Sequence, residues 1–300
     1  MKTAIIGYGY WGKILRYYIE KDHNYSLVKI YDLNLKPKKI FTDKIDDILN
    51  KDIKAVFICT PIKTHFSLSK LMLNNNKHVF CEKPLAKSSK DVKELIKISK
   101  KKEKVIQTDF TFIQSKSIKK MKELIPNIGQ IYFASFAMKQ YGKFYQEDNV
   151  YEILGSHMIS ILYYLFDDMN LSFKFSDYYL DRENKPEIGD ILFNTNKLNG
   201  NISLSLHSPY KERKIILKGE KGILYYNPLE KNSLKYYSAS KDKIILNNIF
   251  NFDEKNNLGY SIENFYSVIN GQEKSNINLS KKVTAVLGQY KIWRKHNELR

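Results

Sequence analysis

The chain has few residues of the types that build disulfide frameworks or read nucleic acids. Its 300 residues include two cysteines and five arginines, against 45 lysines. Cys59 and Cys81 lie within apolar runs, without CxxC spacing or a neighbouring histidine, so we expect buried thiols and neither a disulfide framework nor a metal site. Free thiols are typical of a reducing compartment, which predicts a cytoplasmic protein.

Long apolar segments are also missing. The apolar run at the start of the chain stops at Gly7, which is too short for the core of a signal peptide. The longest apolar stretch, residues 150–166, contains Glu152, Ser156 and His157, which are costly in a spanning helix. We therefore expect no membrane span.

Acidic residues are outnumbered by basic ones. There are 50 Lys and Arg against 32 Asp and Glu, a net charge of +18. A balance this basic suggests nucleic-acid binding, because clustered cations release counterions from a phosphate backbone. Arginine, which contacts phosphates and bases in bidentate fashion, is scarce, and the sequence has no helix-turn-helix, zinc-finger or RNA-recognition signal. We interpret the lysines as a solvated surface and expect no specific nucleic-acid partner, while the charge favours an anionic small ligand.

Short apolar runs alternate with amphipathic segments over the first 110 residues. The apolar runs are rich in Val, Ile and Phe, and they lie at residues 3–6, 27–31, 55–59, 78–81 and 105–107. The amphipathic segments have helical spacing and lie at residues 11–21, 66–73 and 89–101. Near-continuous apolar strands that alternate with helices predict an α/β fold with a doubly wound parallel sheet.

The pattern changes after about residue 125. Short alternating segments separated by turns predict a large, mostly antiparallel open sheet with one face covered. Helical stretches near residues 151–166, 261–269 and 281–296 are expected to cover it. The length suggests two domains, which we place at residues 1–117 and 118–300, the second being an α+β domain.

A glycine-rich motif, Gly7-Tyr8-Gly9-Tyr10-Trp11-Gly12, follows the first strand and opens the first helix. Gly7 permits a tight turn, Gly9 lets backbone amides approach a pyrophosphate, and Gly12 lets the helix pack closely on the strand. Asp32 ends the second strand, where a carboxylate accepts hydrogen bonds from an adenosine ribose. This order of strand, loop, helix, strand and acid predicts a Rossmann domain that binds a dinucleotide.

Asp32 also bears on the choice of cofactor. A carboxylate repels the 2′-phosphate of NADP, and no arginine follows Asp32, so NAD is the predicted cofactor. Lys36, Lys38 and Lys39 are close enough in sequence to reach such a phosphate, and NADP therefore stays the less favoured alternative.

A second constellation is more specific. Cys59-Thr60-Pro61 with His65, followed by HVFCEKPLA at residues 78–86, resembles the motifs of the glucose–fructose oxidoreductase and inositol dehydrogenase family. Looser similarities extend over nearly the whole chain, and the segment 142–148 is most like a branch linked to sugar nucleotides. The resemblance implies an N-terminal Rossmann domain and a C-terminal domain whose open sheet covers the substrate. An open sheet with one uncovered face, in a chain with 22 Tyr and 16 Phe, also favours a homodimer or homotetramer.

The resemblance further implies the site residues. Thr60, Pro61, His65, Glu82 and Lys83 are expected to complete the cofactor site formed by the glycine-rich motif and Asp32. Lys83 is also expected to act in catalysis, near the nicotinamide ribose and the substrate hydroxyl. An ammonium beside an oxidised nicotinamide should have a lowered pKa, which helps the hydroxyl to lose its proton.

His157 is the second expected catalytic residue. Many family members carry an Asp four residues before this His, where this chain has Ile153, and Ser160 stands where an acid is also common. The nearest acid, Glu152, is rotated by about 100° from that position on a helix.

Two functional hypotheses follow from these residues. The first is an NAD-dependent oxidoreductase that transfers hydride between nicotinamide and the hydroxyl or ketone carbon of a sugar, more specifically a nucleotide-linked sugar. The second is an NAD-binding protein of the same fold, with altered or lost catalysis and a scaffold or regulatory role.

Overall fold

The computed structural model describes residues 1–142, 144–166, 169–181, 183–241 and 243–297. The chain packs into two compact units. The first comprises Met1–Thr111 and Asn256–Gly288, and the second comprises Phe112–Lys255 and Gln289–Arg300. Within the described ranges, no helix combines the length and the apolarity needed to cross a bilayer.

Strands and helices are numbered in chain order. The strands are β1 (Lys2–Ile6), β2 (Ser26–Tyr31), β3 (Phe41–Thr42), β4 (Ala55–Ile58), β5 (His78–Glu82), β6 (Ile106–Asp109), β7 (Ile131–Tyr141), β8 (Ser172–Leu180), β9 (Pro186–Asn194), β10 (Asn199–Ser205), β11 (His207–Gly219), β12 (Gly222–Tyr226), β13 (Leu234–Ser240) and β14 (Lys243–Phe250). The helices are α1 (Tyr10–Lys21), α2 (Ile62–Asn74), α3 (Ser89–Lys102), α4 (Lys116–Leu124), α5 (Ser156–Leu165), α6 (Asn257–Ile269) and α7 (Ile277–Asn297).

The first unit is built on a parallel sheet with the strand order β3-β2-β1-β4-β5-β6. Val56 and Ile58 of β4 pack on one face with residues of α2 and α3. Ala55 and Phe57 pack on the other face with residues of α1 and α6. Because both faces are covered, every residue of the central strand is apolar, and the predicted doubly wound sheet is confirmed. The strand order reverses between β1 and β4. In proteins with this kind of sheet, ligands bind at the carboxyl ends of the strands on either side of such a reversal.

Helix α6 packs in the first unit, whereas the sequence-based division placed it with the second domain. Leu258, Ile262 and Phe265 belong to the same apolar cluster as Phe57 and Phe80. The Phe265 ring lies 5.7 Å from that of Phe57 and 5.4 Å from that of Phe80. A helix that is distant in sequence thus helps to cover the face of the parallel sheet that carries Phe57 and Phe80.

The second unit is built on an eight-stranded sheet with the order β14-β13-β12-β11-β7-β10-β9-β8. Its pairs are antiparallel except for β10 with β7, which confirms the predicted mostly antiparallel open sheet. Strands β13 and β14 were not predicted. The edge strand β14 is exposed along nearly its whole length, so its sequence has no alternation between buried and exposed positions.

A π-helical turn at Tyr151–Gly155 precedes α5, where the sequence predicted one continuous helix. The Tyr151 hydroxyl donates to the Ser176 carbonyl oxygen and the Asp177 carboxylate, at 2.8 Å each. Its ring stacks on that of Tyr290 with centroids 4.0 Å apart. This turn sets the rotation of the next residues, which include His157.

Candidate functional site

The glycine-rich loop connects β1 to α1 in the first unit. Gly7 has a φ of 97°, a backbone conformation that strongly favours glycine. A Cβ atom at Gly12 would lie 2.2 Å from the carbonyl oxygen of Gly7. Both glycines are therefore required by the packing of the loop itself, whatever it binds.

Gly9 differs, because the protein gives no internal reason for its missing side chain. Its φ of −72° lies outside the left-handed region that favours glycine, and a Cβ atom there would meet no atom of the described residues within 4 Å. Gly9 is the N-cap of α1. No side chain in the described part of the protein caps this helix, and its first turn contains no acidic residue. A glycine beside open space at an uncapped helix N-terminus fits a pyrophosphate that approaches the backbone closely.

Asp32 follows β2 and is fixed against this loop. Its Oδ2 accepts a hydrogen bond of 2.7 Å from the backbone N–H of Tyr8, and its Oδ1 accepts one of 3.0 Å from Asn34. Each carboxylate oxygen has capacity for a further donor, so the acid is positioned to accept from ribose hydroxyls. Tyr10 and Trp11 begin α1 as exposed side chains with their rings in edge contact.

The loops after β4 and β5 are joined by His65. This buried imidazole lies 2.7 Å from the carbonyl oxygen of Thr60 through Nε2, and 2.9 Å from that of Pro84 through Nδ1. Burial lowers the pKa of His65, and the two carbonyl groups oppose that effect. The ring thus lies between the Thr60-Pro61 turn and the loop that carries Lys83.

Two carboxyl groups meet beside Lys83 at the carboxyl ends of β5 and β6. The strand register places Glu82 opposite Asp109. Burial raises the pKa of both groups, their mutual repulsion adds to the rise for Glu82, and the charge of Lys83 opposes it for both. Asp109 Oδ1 accepts from Ser261 at 2.8 Å and Thr111 at 3.1 Å. Its buried Oδ2 has no hydrogen-bond partner among the described residues.

Sequence reasoning missed Asp109. Its position at the end of the last parallel strand was the available signal, because side chains at the carboxyl ends of neighbouring parallel strands lie side by side. The sequence could not show the register that sets Asp109 opposite Glu82.

His157 lies on α5 in the second unit. It is half-buried, whereas the residues on either side of it, 150–156 and 158–162, are buried. Its ring makes an edge contact with Phe112, with centroids 5.0 Å apart. The Arg213 guanidinium lies over the same Phe112 ring, 5.3 Å from its centroid.

Three residues near His157 in sequence, Glu152, Ile153 and Ser160, make contacts of their own. Ile153 is buried, and Glu152 forms a 2.9 Å ion pair with Lys291. The hydroxyl of Ser160 donates to the carbonyl oxygen of His157 at 2.6 Å. The described residues contain no group of three or more His, Cys, Asp or Glu side chains arranged to hold a metal ion.

Aromatic rings also surround His207 in the second unit. Phe144 and Tyr179 lie 5.3 Å and 4.8 Å from its ring centroid, and Tyr141 lies 6.3 Å away. Nε2 of His207 is 2.5 Å from the Glu187 carboxylate, so the imidazole is anchored on one side while its ring packs among the aromatic side chains.

Comparisons with known proteins agree with this picture. A myo-inositol 2-dehydrogenase of Thermotoga maritima is 29% identical over 137 residues, which is 42% of this chain and 41% of that protein. The match spans about two fifths of the length of that curated relative.

Similarity of structure extends over the whole chain. A UDP-N-acetylglucosamine 3-dehydrogenase of Acidithiobacillus ferrooxidans has a TM-score of 0.84 at 16% identity, covering 98% of this chain and 97% of that one. A 3-ketoreductase of Actinomadura kijaniata, solved with TDP-benzene and NADP, has a TM-score of 0.82 at 14% identity, covering 96% of each chain. At sequence identities this low, the structural similarity establishes the fold alone. A separate comparison of sequence shows that residues 1–110 match the model of an oxidoreductase family with an NAD-binding Rossmann fold. The resemblance deduced from the motifs is thus confirmed over residues 1–110, which match the model of that oxidoreductase family.

Proposed function

We propose that this protein is an NAD-dependent oxidoreductase that acts on a hydroxyl-bearing or ketone carbon of a sugar, more specifically a nucleotide-linked sugar. The observation that carries the proposal is the open space at Gly9, with Asp32 held beside it by the Tyr8 amide. The relatives named above, an inositol dehydrogenase and enzymes of sugar-nucleotide chemistry, support the substrate class.

The cofactor is held by backbone amides and by Asp32. The amides at Gly9 and Tyr10 face the pyrophosphate, and Asp32 accepts from the adenosine ribose. Thr60 and Pro61 contribute from the loop after β4, and Glu82 contributes from the end of β5. His65 lies between the loops that follow these two strands. Bound in this way, nicotinamide supplies or accepts the hydride.

Lys83 and His157 handle the proton that accompanies hydride transfer. Lys83 takes the proton from the substrate hydroxyl or returns it to the ketone, and the Glu82 and Asp109 pair sets the charge around it. His157 acts as the second acid or base, because an imidazole changes charge near neutral pH. Position 153 carries no Asp in this chain, and the His157 ring packs edge-on against Phe112.

Turnover tests this proposal. The purified protein is assayed with NAD and a panel of hexoses, inositols and UDP-linked sugars, and formation of reduced nicotinamide is expected with at least one of them. Lys83→Met should lower kcat by about 10²- to 10⁴-fold with little change in the Kd for NAD, whereas the exposed-lysine variant Lys90→Met should match the wild type. Tight NAD binding without turnover of any substrate would replace this function with a non-catalytic, NAD-binding role.

We further propose NAD over NADP. Arg16, the arginine closest to the glycine-rich motif in sequence, already donates to Glu20 at 2.8 Å and to the Tyr8 hydroxyl at 3.0 Å. The carboxylate of Asp32 repels a 2′-phosphate. Asp32→Ser should therefore weaken NAD binding and strengthen NADP binding, and a wild-type protein that binds NADP more tightly would refute the preference.

The exposed side chains of the second unit support a homodimer or homotetramer. Tyr132 and Leu192 of the large sheet are each 50% exposed, and Ile244 and Ile245 of β14 are exposed as well. Apolar surface of this kind is usually covered in the assembled protein. Light scattering on the purified protein should give a mass above that of one chain.

Both thiols support a reducing compartment such as the cytoplasm. Cys59 and Cys81 are free, and Cys81 is fully buried. Burial raises the pKa of both thiols, which keeps them protonated and unreactive. Fractionation of cells that produce the protein should place it with the cytoplasm.

A further inference from the structure

Strand β11 carries its charged residues on two different faces. Arg213, Ile215 and Leu217 alternate onto one face, where Ile215 and Leu217 are fully buried. Their partners on β7 in the strand register are Met138, Phe136 and Ala134, which are buried as well. Arg213 therefore occupies a position on the buried face of the sheet, where the pattern of the strand calls for an apolar side chain.

The charges on the opposite face of β11 compensate one another. Glu212 forms ion pairs with Lys214 at 3.0 Å and with Lys139 at 3.3 Å. These side chains need no further ligand.

Arg213 has no such compensation. It forms no ion pair and no hydrogen bond with any residue that the structure describes. The face of the Phe112 ring lies 5.3 Å from its guanidinium, and Tyr226 is close enough to interact with it electrostatically. Burial lowers the pKa of Arg213, which reflects the loss of solvation that a cation pays when no anion faces it. A half-buried guanidinium without an anionic partner is stabilised when an anion binds to it.

The position of Arg213 relates this side chain to the proposed reaction. The Phe112 ring contacts both Arg213 and His157, so the guanidinium and the imidazole lie on the same part of the second unit. A ligand that contacts His157 is therefore also within reach of Arg213.

We propose that Arg213 is a substrate-binding residue that takes an anionic oxygen group, a carboxylate or a phosphate, in bidentate hydrogen bonds. The substrate is then an acidic or phosphorylated sugar, including a sugar linked to a nucleoside diphosphate, and a neutral sugar or cyclitol is a poor ligand. The inference rests on the proposed function only for the role of His157, because anion binding at Arg213 needs no turnover.

Binding measurements test the proposal on the full chain with NAD present. Calorimetric titrations compare glucose with glucuronate, glucose with UDP-glucose, and UDP-glucose with UDP-glucuronate. The wild type should bind the more anionic member of at least one pair at least about tenfold more tightly. Discrimination between glucose and glucuronate, or between the two UDP-sugars, identifies a carboxylate as the ligand, whereas discrimination confined to glucose and UDP-glucose identifies a phosphate.

Three variants separate anion binding from a structural role. Arg213→Met should remove the discrimination and leave the affinity for glucose unchanged, and Arg213→Lys should restore part of it, because a lysine keeps the charge but loses the bidentate geometry. Lys214→Met, on the opposite face of the same strand, should behave like the wild type. The proposal is overturned if the wild type shows no discrimination, or if Arg213→Met and Arg213→Lys leave it intact. Loss of hydride transfer with intact anion binding would instead count against the proposed oxidoreductase function.

Discussion

At the residue scale, the Glu82 and Asp109 pair makes the stability of the first unit depend on pH. An acid whose pKa is raised by folding keeps a proton that the unfolded chain releases. The free energy of unfolding therefore falls as the pH rises above the ordinary carboxyl range, and the loss continues until the pair is ionised.

Asp109→Asn removes one acid and the repulsion that raises the pKa of the other. We expect the fall in unfolding free energy with rising pH to become shallower in this variant. Denaturant titrations between about pH 4 and pH 8 measure that slope. The exposed-acid variant Asp43→Asn should keep the wild-type slope, and an unchanged slope in Asp109→Asn would show that the two carboxyl groups do not interact.

His78 produces a pH dependence of the opposite sign. Burial, together with the charge of Lys104, lowers its pKa to about 4, and its Nδ1 accepts a 3.0 Å hydrogen bond from the backbone N–H of Val105. Below the ordinary histidine pKa the unfolded chain gains a proton that the folded chain refuses, so stability falls as the pH drops from about 6.5 to about 4.

Replacing His78 with Asn keeps an acceptor and removes the titration. We expect this variant to lose less stability over the same pH interval than the wild type. Unfolding free energies at the two ends of the interval measure the difference. His23→Asn, which changes an exposed histidine, is the matched control and should follow the wild type.

At the scale of elements, Gly9 and Gly12 lie where β1 connects to α1, and we expect them to have different roles. Gly9→Ala should leave the unfolding free energy within about 0.5 kcal/mol of the wild type, because the new Cβ would meet no atom of the residues that the structure describes within 4 Å. The same variant should weaken NAD binding at least about tenfold. Gly12→Ala should destabilise the first unit by about 3 kcal/mol or prevent folding, because its Cβ would overlap the Gly7 carbonyl. Thermal unfolding measures the loss of stability and NAD titration measures the loss of binding. Equal losses of stability in the two variants would contradict the different roles assigned to Gly9 and Gly12.

The same scale shows how much of the fold the sequence could predict. The strands of the first unit other than the two-residue β3 were predictable, most clearly at residues 55–58, because a strand buried on both faces is apolar throughout. Strand β14 was not, since a strand open to solvent on both faces has no burial pattern to detect. The parallel pairing of β10 with β7 depends on how distant segments meet, which local sequence does not encode.

The candidate site divides in the same way. The glycine-rich loop, Asp32 and Lys83 were predictable, because each belongs to a short motif with a fixed place relative to a strand end. Asp109 and Phe112 were not, since each owes its place to a partner, Glu82 or His157, that is distant in sequence.

At the scale of the whole molecule, the net charge of +18 acts on ligands before they bind. A positive potential attracts anionic nucleotides and raises their rate of encounter, and dissolved salt screens that attraction. With a UDP-sugar as substrate, we expect kcat/KM to fall as ionic strength rises, while kcat stays nearly constant. A neutral inositol, assayed in parallel, should show little salt dependence, and a salt-independent kcat/KM for the anionic substrate would leave the lysine-rich surface without a part in substrate capture.

His65 stands between the carbonyl oxygens of Thr60 and Pro84 with one proton to donate. Because its pKa is lowered, the ring is neutral at physiological pH, and only one nitrogen carries a hydrogen. The two tautomers therefore hold different loops: one bonds the turn after β4, and the other bonds the turn after β5. A ligand that displaces either turn changes the ratio of the tautomers, and this buried ring becomes a spectroscopic reporter of loop occupancy, read from its nitrogen chemical shifts.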